Sequence, residues 1–155
     1  MTDQQAQQSA QQFAIQKIYI KDASLESPNA PAVFQDGQWQ PEVNVQINTE
    51  GKSMADNLHE VTLTLTITAK QKGKTAFLVE VKQAGLFLLS GFAKEQLGGM
   101  VGAYCPEVLF PFAREAVSDL VGKAGFPQLL LAPVNFNALY MQHAQQQAQQ
   151  AGVAH

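Results

Sequence analysis

The side chains that most often perform chemistry are few in this sequence and widely spaced. The three histidines, His59, His143 and His155, lack the H-E-x-x-H spacing that brings two imidazoles to one metal ion. Cys105 is the only cysteine, so it has no second thiol for an internal disulfide or a zinc site. Because Pro106 follows it and no nucleophile motif surrounds it, a buried, inert thiol is the simpler interpretation. The sequence therefore predicts neither a catalytic residue nor a metal site.

Cofactor, nucleic-acid and membrane binding are also disfavoured. The pair Gly98-Gly99 lacks the flanking residues of a phosphate-binding loop, so we expect no cofactor. Ten basic and 13 acidic residues give a formal charge of −3, and the lysines are scattered, which argues against nucleic acid as a partner. No apolar stretch approaches the length of a membrane span, and the first residues do not resemble a signal peptide. We expect a cytoplasmic protein that is not an enzyme and does not insert into membranes.

Alternation of apolar and polar residues predicts four strands. The clearest alternation covers residues 58–69, where apolar side chains alternate with threonines. A turn at residues 71–74 leads to a second alternating run at 77–82, and the two runs predict a hairpin. Earlier in the chain, residues 13–22 and 43–48 supply two more strands.

A helical pattern follows the strands. Pro106 and Pro111 are expected to break or kink the first helix, which ends near residues 122–125. Asn135 is a good N-cap for a last helix that begins at Phe136. Strands followed by helices predict an α+β fold: a four-stranded antiparallel sheet with a long crossover loop, followed by two helices packed on one face.

The length of 155 residues favours a single domain, which we assign to residues 13–147. Residues 1–12 are glutamine-rich and predict a disordered N-terminal tail, and residues 148–155 predict a flexible C-terminal tail. The crossover at residues 27–41 carries three prolines and cannot be regular. Loops of this length are often functional, although a mere connector is an open alternative.

Two surfaces of this predicted fold could bind partners. Two helices leave apolar residues under-covered, which favours self-association unless all of them close into a monomer core. The candidates are Leu86, Phe87, Leu88, Leu89, Phe92, Leu109, Phe110 and Phe112. If Phe77, Val79 and Val81 point inward, Leu78 and Glu80 point outward, and Asp22 and Glu26 of the first strand can join them. Such an acidic set could receive a basic partner, and a merely solvated sheet face is the alternative.

Several long motifs, in order along the chain, resemble the SecB family of protein-export chaperones. The similarity covers roughly residues 13–147 and is carried by residues 13–19 (FAIQKIY), 27–31 (SPNAP), 39–43 (WQPEV), 102–106 (GAYCP), 109–115 (LFPFARE), 126–129 (FPQL) and 131–136 (LAPVNF). The resemblance implies a SecB-like fold and a homotetramer, a dimer of dimers. It also implies that unfolded secretory preproteins bind in long grooves and are delivered to the SecA ATPase without a cofactor.

The resemblance also implies site residues. The preprotein groove of the family lies between the crossover loop and the last helix, and the matching positions are Phe34, Trp39, Phe136, Tyr140 and Met141. The contact face for SecA, whose zinc-containing tail is basic, matches Asp22, Glu26, Leu78 and Glu80.

Two features depart from the family pattern, and a second class of function remains open. Tyr140 stands where a phenylalanine is more usual, and no acidic residue follows residue 147, which weakens the case for a role of the C-terminal tail in SecA docking. The competing hypothesis is a small-molecule-binding or hydrolytic oligomer that uses Cys105 in an aromatic pocket.

Overall fold

The computed structural model describes residues 10–153, which contain a sheet of four antiparallel strands. The strands are β1 (Gln12–Glu26), β2 (Glu42–Ala55), β3 (Leu58–Gln71) and β4 (Lys74–Ser90). Their order across the sheet is β1-β4-β3-β2, so that β1 and β2 form the two edges. The predicted antiparallel sheet is confirmed, with longer strands than the alternation indicated.

Part of the predicted tails falls outside this description. Residues 1–9 and residues 154–155 lie outside the described residues, as do the side chains of residues 152 and 153. The boundaries proposed for the two tails therefore stay predictions.

One face of the sheet, the inner face, is buried under the helices. In β3 the side chains of Val61, Leu63, Leu65 and Ile67 are fully buried on this face, because residues two apart in a strand point to the same side. The alternating threonines point to the outer face. The hairpin between β3 and β4 turns at Lys72 and Gly73, whose φ angles of 51° and 79° are typical of a two-residue type I′ turn.

The helical segment runs from Lys94 to Lys123 without a break. It comprises α1 (Lys94–Gly99), a π-helical segment (Met100–Tyr104) and α2 (Cys105–Lys123). Of the two expected effects of the prolines, a break or a kink, the break is therefore wrong. Pro106 falls in the first turn of α2, and the preceding turn is wide, with the Cys105 N–H donating to the Met100 carbonyl five residues earlier. The wider turn accommodates a residue that lacks an N–H and whose ring would crowd the carbonyl of an ordinary α-turn.

The end of α2 lies where the sequence predicts it. Gly125 has a φ of +92°, which favours glycine, and its N–H donates to the Gly122 carbonyl at 3.1 Å. The Phe126 N–H donates to the Val121 carbonyl at 3.3 Å, and the two bonds together form a Schellman motif. The chain then runs extended to α3 (Phe136–Val153), where Asn135 Oδ1 accepts a hydrogen bond from the Ala138 N–H at 3.0 Å. The predicted N-cap is confirmed.

The core lies between α2 and the inner face. Leu109, Ala113, Val117 and Val121, spaced by four residues along α2, are fully buried, and the helix packs chiefly on β4 and β3. Four of the residues expected to be under-covered are buried within the single chain: Phe87, Leu89, Leu109 and Phe110. Phe112, in contrast, remains 49% exposed. The prediction of under-covered apolar residues therefore holds for Phe112 but not for these four.

Candidate binding surfaces

The only thiol is poorly placed for chemistry. Cys105 is fully buried at the start of α2, and this burial raises the pKa of its thiol to about 12. The thiolate, which is the nucleophilic form, is therefore scarce at neutral pH. No three His, Cys, Asp or Glu side chains within residues 10–153 are grouped so that they could hold a metal ion.

The predicted acidic residues share the outer face of neighbouring strands β1 and β4. In the strand register Glu26 lies opposite Leu78, and Asp22 lies opposite Lys82. Ser24 lies opposite Glu80 between these two pairs. We call the surface formed by Asp22, Glu26, Leu78 and Glu80 the acidic face.

Two residues that sequence reasoning missed shape the acidic face. The Thr66 hydroxyl on β3 donates to Glu80 Oε2 at 2.9 Å and thereby orients the carboxylate. Lys82, two positions beyond Glu80, is exposed on the same face opposite Asp22. The signal for both was present in the sequence, because the alternation that points Glu80 outward also points Lys82 and the threonines outward.

A second polar group lies further along the outer face. The Tyr19 hydroxyl on β1 donates to Glu60 Oε2, and Lys21 Nζ lies 3.0 Å from Glu60 Oε1. The hydroxyl and the ammonium group lower the pKa of the Glu60 carboxyl. Burial raises the pKa of Tyr19 to about 12, and the hydrogen bond to Glu60 and the negative charge of that carboxylate add to the effect. The group ties edge strand β1 to β3 across β4.

Two of the five predicted groove residues lie together in the crossover. Phe34 and Trp39 pack on Phe126, with ring centroids 5.1 and 5.4 Å apart, and Phe126 in turn packs on Phe77 at 5.0 Å. These four residues form what we call the crossover cluster. Phe34 keeps 49% of its surface exposed, so that the cluster presents an aromatic ring to solvent. Phe126 was missed as a site residue, although it follows directly on Gly125, which ends α2.

Side-chain amides order the crossover. The Gln71 Nε2 donates to the Gln38 carbonyl at 2.7 Å, and Gln71 Oε1 accepts from the Gln40 N–H at 3.1 Å. Asn29 Nδ2 donates to the Thr75 carbonyl at 2.8 Å. The crossover is thus anchored to the hairpin of β3 and β4, which holds Phe34 and Trp39 in place.

The other three predicted groove residues lie on α3. Phe136 is buried and meets Phe110 edge to face, with centroids 5.6 Å apart. The Tyr140 ring occupies a notch above Gly98 and Gly102, where an added Cβ at Gly102 would lie 2.7 Å from Tyr140 Cε2. Met141, with 52% of its surface exposed, is outside both aromatic clusters. The five residues therefore fall into separate groups, with Phe34 and Trp39 on Phe126 and with Phe136 and Tyr140 in α3.

An open cleft of about 550 Å³ separates α3 from β2. Ile47, Val101, Phe136, Leu139 and Tyr140 supply its apolar lining. We call this space the α3 cleft.

The inner face of β2 joins the α3 cleft to the end of the crossover. Val43 and Val45 point to the inner face with Ile47, but they remain 42% and 40% exposed because the helices lie mainly over β3 and β4. At about 3.3 Å per residue this row of side chains spans roughly 13 Å. An uncovered apolar path therefore leads from the crossover end of β2 into the cleft.

No helix within residues 10–153 is both long enough and apolar enough to cross a membrane.

Comparisons with known proteins identify relatives over nearly the whole chain. The family model for the preprotein translocase subunit SecB matches residues 5–147. The protein-export protein SecB of Nitrosococcus oceani is 59% identical over 154 residues, which are 99% of this chain and 92% of the relative. The protein-export protein SecB of Thioalkalivibrio sulfidiphilus is 58% identical over 159 residues, covering 98% of this chain and 94% of the relative.

A solved structure shares the fold. The SecB-like chaperone of Mycobacterium tuberculosis, in complex with a ChAD peptide from the HigA1 antitoxin, superposes with a TM-score of 0.65 at 18% identity. The match covers 79% of this chain and 90% of that chain. At this level of identity the likeness shows the fold alone.

Proposed function

Because this chain belongs to the SecB family of protein-export chaperones, we propose that it binds unfolded secretory precursors, keeps them competent for translocation and delivers them to the SecA ATPase. It acts in the cytoplasm as a homotetramer, a dimer of dimers, and needs neither a cofactor nor catalysis of its own.

The observation that carries this proposal is the uncovered apolar path between the crossover and α3. It offers Phe34 at one end, Val43 and Val45 along β2, and Leu139 in the α3 cleft, all of them at least 40% exposed. Aromatic and aliphatic side chains bind many sequences through contact area rather than through a fixed hydrogen-bond pattern. A long open surface of this kind suits an extended, non-native chain better than a small folded ligand. We propose as its preprotein-binding residues the positions that match the groove of the family: Phe34, Trp39, Phe136, Tyr140 and Met141.

The acidic face supports the second part of the proposal, contact with SecA. Asp22, Glu26 and Glu80 outnumber the single Lys82 among them, and Leu78 adds an apolar contact that is 36% exposed. A basic partner segment gains Coulomb energy over this face. The hydrogen bond from Thr66 holds the Glu80 carboxylate ready for such a contact without a further loss of side-chain entropy.

The burial of Cys105 disfavours the competing small-molecule or hydrolytic function. The thiol is fully buried, and its pKa is raised to about 12, so it offers no nucleophile to a ligand in the α3 cleft.

Charge reversal on the acidic face tests the delivery step. Asp22→Lys with Glu80→Lys should weaken binding of purified SecA by at least about tenfold, because each reversal turns an attraction into a repulsion. Lys82→Gln should act in the opposite direction and tighten SecA binding, since it removes the opposing charge. Isothermal titration calorimetry measures both affinities, and aggregation of an unfolded precursor measures client binding.

Asp56→Lys, in the turn between β2 and β3, makes the same kind of charge change away from the acidic face and should leave SecA affinity unchanged. All variants should suppress aggregation of the unfolded precursor as well as the wild type does. Equal SecA affinity in the wild type and the double variant would remove the acidic face from the proposal.

A further inference from the structure

Arg114 is the only arginine of the sequence, and it lies half-buried in the middle of α2. The residues three and four positions away, where an ion-pair partner on the same helix would lie, are not acidic. They are Phe110, Pro111, Val117 and Ser118. Neither ion pair in the described part of the chain involves Arg114. An ion pair therefore does not explain the presence of this cation.

The guanidinium group of Arg114 lies over an aromatic ring instead. Its Cζ is 5.6 Å from the centroid of the Phe110 ring, one helical turn earlier. A guanidinium is planar and weakly hydrated, so it stacks on an aromatic face better than the ammonium group of a lysine does. Stacking on Phe110 therefore accounts for an arginine at a position that offers no carboxylate.

Phe110 in turn contacts the first residue of α3. Its ring meets the Phe136 ring edge to face, with centroids 5.6 Å apart, and both rings are buried. Arg114 thus completes a stack of three side chains that joins α2 to the beginning of α3. We call the stack of Arg114, Phe110 and Phe136 the α3 clamp.

The α3 clamp is one of two contacts that set the direction of α3. The other is Tyr140, one turn later, whose ring lies above Gly102. At 1.5 Å per residue these contacts are about 6 Å apart along the helix axis, whereas the part of α3 from residue 141 to residue 153 is about 20 Å long. A small displacement of Phe136 is therefore enlarged about threefold at the far end of α3. Such a displacement changes the width of the α3 cleft.

We infer that Arg114 is a positioning residue of the client groove, which holds the Phe110 ring against Phe136 and thereby sets the angle of α3 and the width of the α3 cleft. The effect on client binding rests on the proposed chaperone function, whereas the effect on the angle of α3 is independent of it. Arg114 is absent from the described lining of the cleft. It therefore acts on a client through the two aromatic rings and not by contact.

Two substitutions remove different parts of the α3 clamp. Arg114→Met keeps a long apolar side chain and removes the charge, whereas Arg114→Lys keeps the charge and removes the planar group. In the Met variant nothing replaces the attraction between cation and ring. The lysine variant retains a weaker form of it, so its effect should be the smaller of the two.

Pulsed electron paramagnetic resonance measures the position of α3 in the full-length protein. Nitroxide labels are attached to Glu50→Cys on β2 and Gln149→Cys on α3, both of which are exposed positions. Cys105 is fully buried and stays unlabelled in the native protein. Labelled chains are then refolded with a large excess of unlabelled chains, so that each assembly holds a single pair of labels.

The wild type should give one narrow distribution of label distances. Arg114→Met should shift or widen this distribution by about 3 Å, because a slip of about 1 Å at Phe136 is enlarged along α3. The dissociation constant of an unfolded precursor should rise about threefold in Arg114→Met and less in Arg114→Lys. SecA affinity should not change. Lys123→Met, which removes a charge from the exposed end of α2, should match the wild type throughout.

The outcomes separate this inference from the proposed function. A wild-type distance distribution in the Arg114 variants overturns the inference even if they are less stable, since a purely structural role lowers the unfolding free energy without moving α3. If Arg114→Met does not fold, Arg114→Lys decides. A displaced α3 with unchanged client affinity also overturns the inference. A wild type that binds no unfolded precursor overturns the proposed function, while the label distances still decide whether Arg114 positions α3.

Discussion

At the scale of single residues, burial decides which polar groups can react and which can only support the fold. The Cys105 thiol belongs to the same buried core cluster as Ala103 and Leu109, and it contributes contact area rather than chemistry. The pKa near 12 follows from the cost of placing a thiolate in that environment.

Alkylation tests the inert thiol. Iodoacetamide at pH 8 should leave Cys105 unmodified in the folded protein and modify it fully in urea, because the folded state holds almost no thiolate and no access to solvent. Mass spectrometry counts the adduct. A Cys105→Ser protein that folds should still suppress aggregation of an unfolded client, and complete alkylation of the native protein within minutes would contradict this assignment.

The Tyr19–Glu60 hydrogen bond predicts a pH dependence of stability. Glu60 has a lowered pKa in the folded state, so its contribution is present above the ordinary carboxyl pKa and is lost as the pH falls through the lowered value. Tyr19 has a raised pKa of about 12, so its contribution is present below the ordinary tyrosine pKa and is lost as the pH rises toward 12. The hydrogen bond should therefore stabilise the fold between these two limits.

Tyr19→Phe should cost about 1 to 2 kcal/mol of unfolding free energy at pH 7, and this difference should shrink as the pH falls through the lowered pKa of Glu60. Urea unfolding of the wild type and of Tyr19→Phe, repeated from pH 3 to 8, gives the unfolding free energy of each protein as a function of pH. A constant difference across this range would show that the lost hydroxyl acts through packing instead.

At the scale of elements, α3 is held to the rest of the chain at its beginning only. Phe136 is buried and Tyr140 is half-buried, but all residues from Met141 to Ala151 are exposed. The Tyr140 ring fits its notch because Gly98 and Gly102 carry no side chain. The position of this wall of the groove therefore depends on two glycines and two aromatic rings.

Filling the notch should release α3. In Gly102→Ala the new Cβ collides with the Tyr140 ring, and we expect a loss of about 1 to 3 kcal/mol of stability together with faster amide exchange in α3. Gly99→Ala is the matched control, because an added Cβ at this helical position has no heavy atom within 4 Å. The unfolding free energy of this control should rise by up to about 1 kcal/mol, because alanine favours a helix more than glycine does. Hydrogen exchange measured by mass spectrometry reads out both variants, and unchanged exchange in Gly102→Ala would contradict the role of the notch.

The strands and the ends of the helices could be predicted from sequence because their causes are local. Alternation identified β3 and β4, and Gly125 and Asn135 identified a helix end and a helix start. The passage of the helix through Pro106 could not be predicted, since the π turn that precedes the proline has no sequence pattern of its own. Resemblance supplied Phe34 and Trp39, but not Phe126, because contacts between distant segments leave no periodic signal.

At the scale of the whole molecule, the chain carries two surfaces on opposite faces of one sheet. The acidic face lies on the outer side of β1 and β4, and the apolar path lies on the inner side at β2. Several large apolar side chains outside this path also remain exposed, including Ile15, Ile20, Met54, Tyr104 and Phe112. Exposure of this kind on a single chain supports the proposed tetramer, in which other copies would cover part of it.

Light scattering of a mixture with an unfolded precursor tests the central claim most directly. The purified protein is mixed with a chemically unfolded, slow-folding secretory precursor, and the mass of each species is measured during size-exclusion chromatography. We predict a species of four chains, each of 16.8 kDa, that retains the unfolded precursor and ignores the same protein once it has folded. A monomer that binds neither form would contradict the chaperone function.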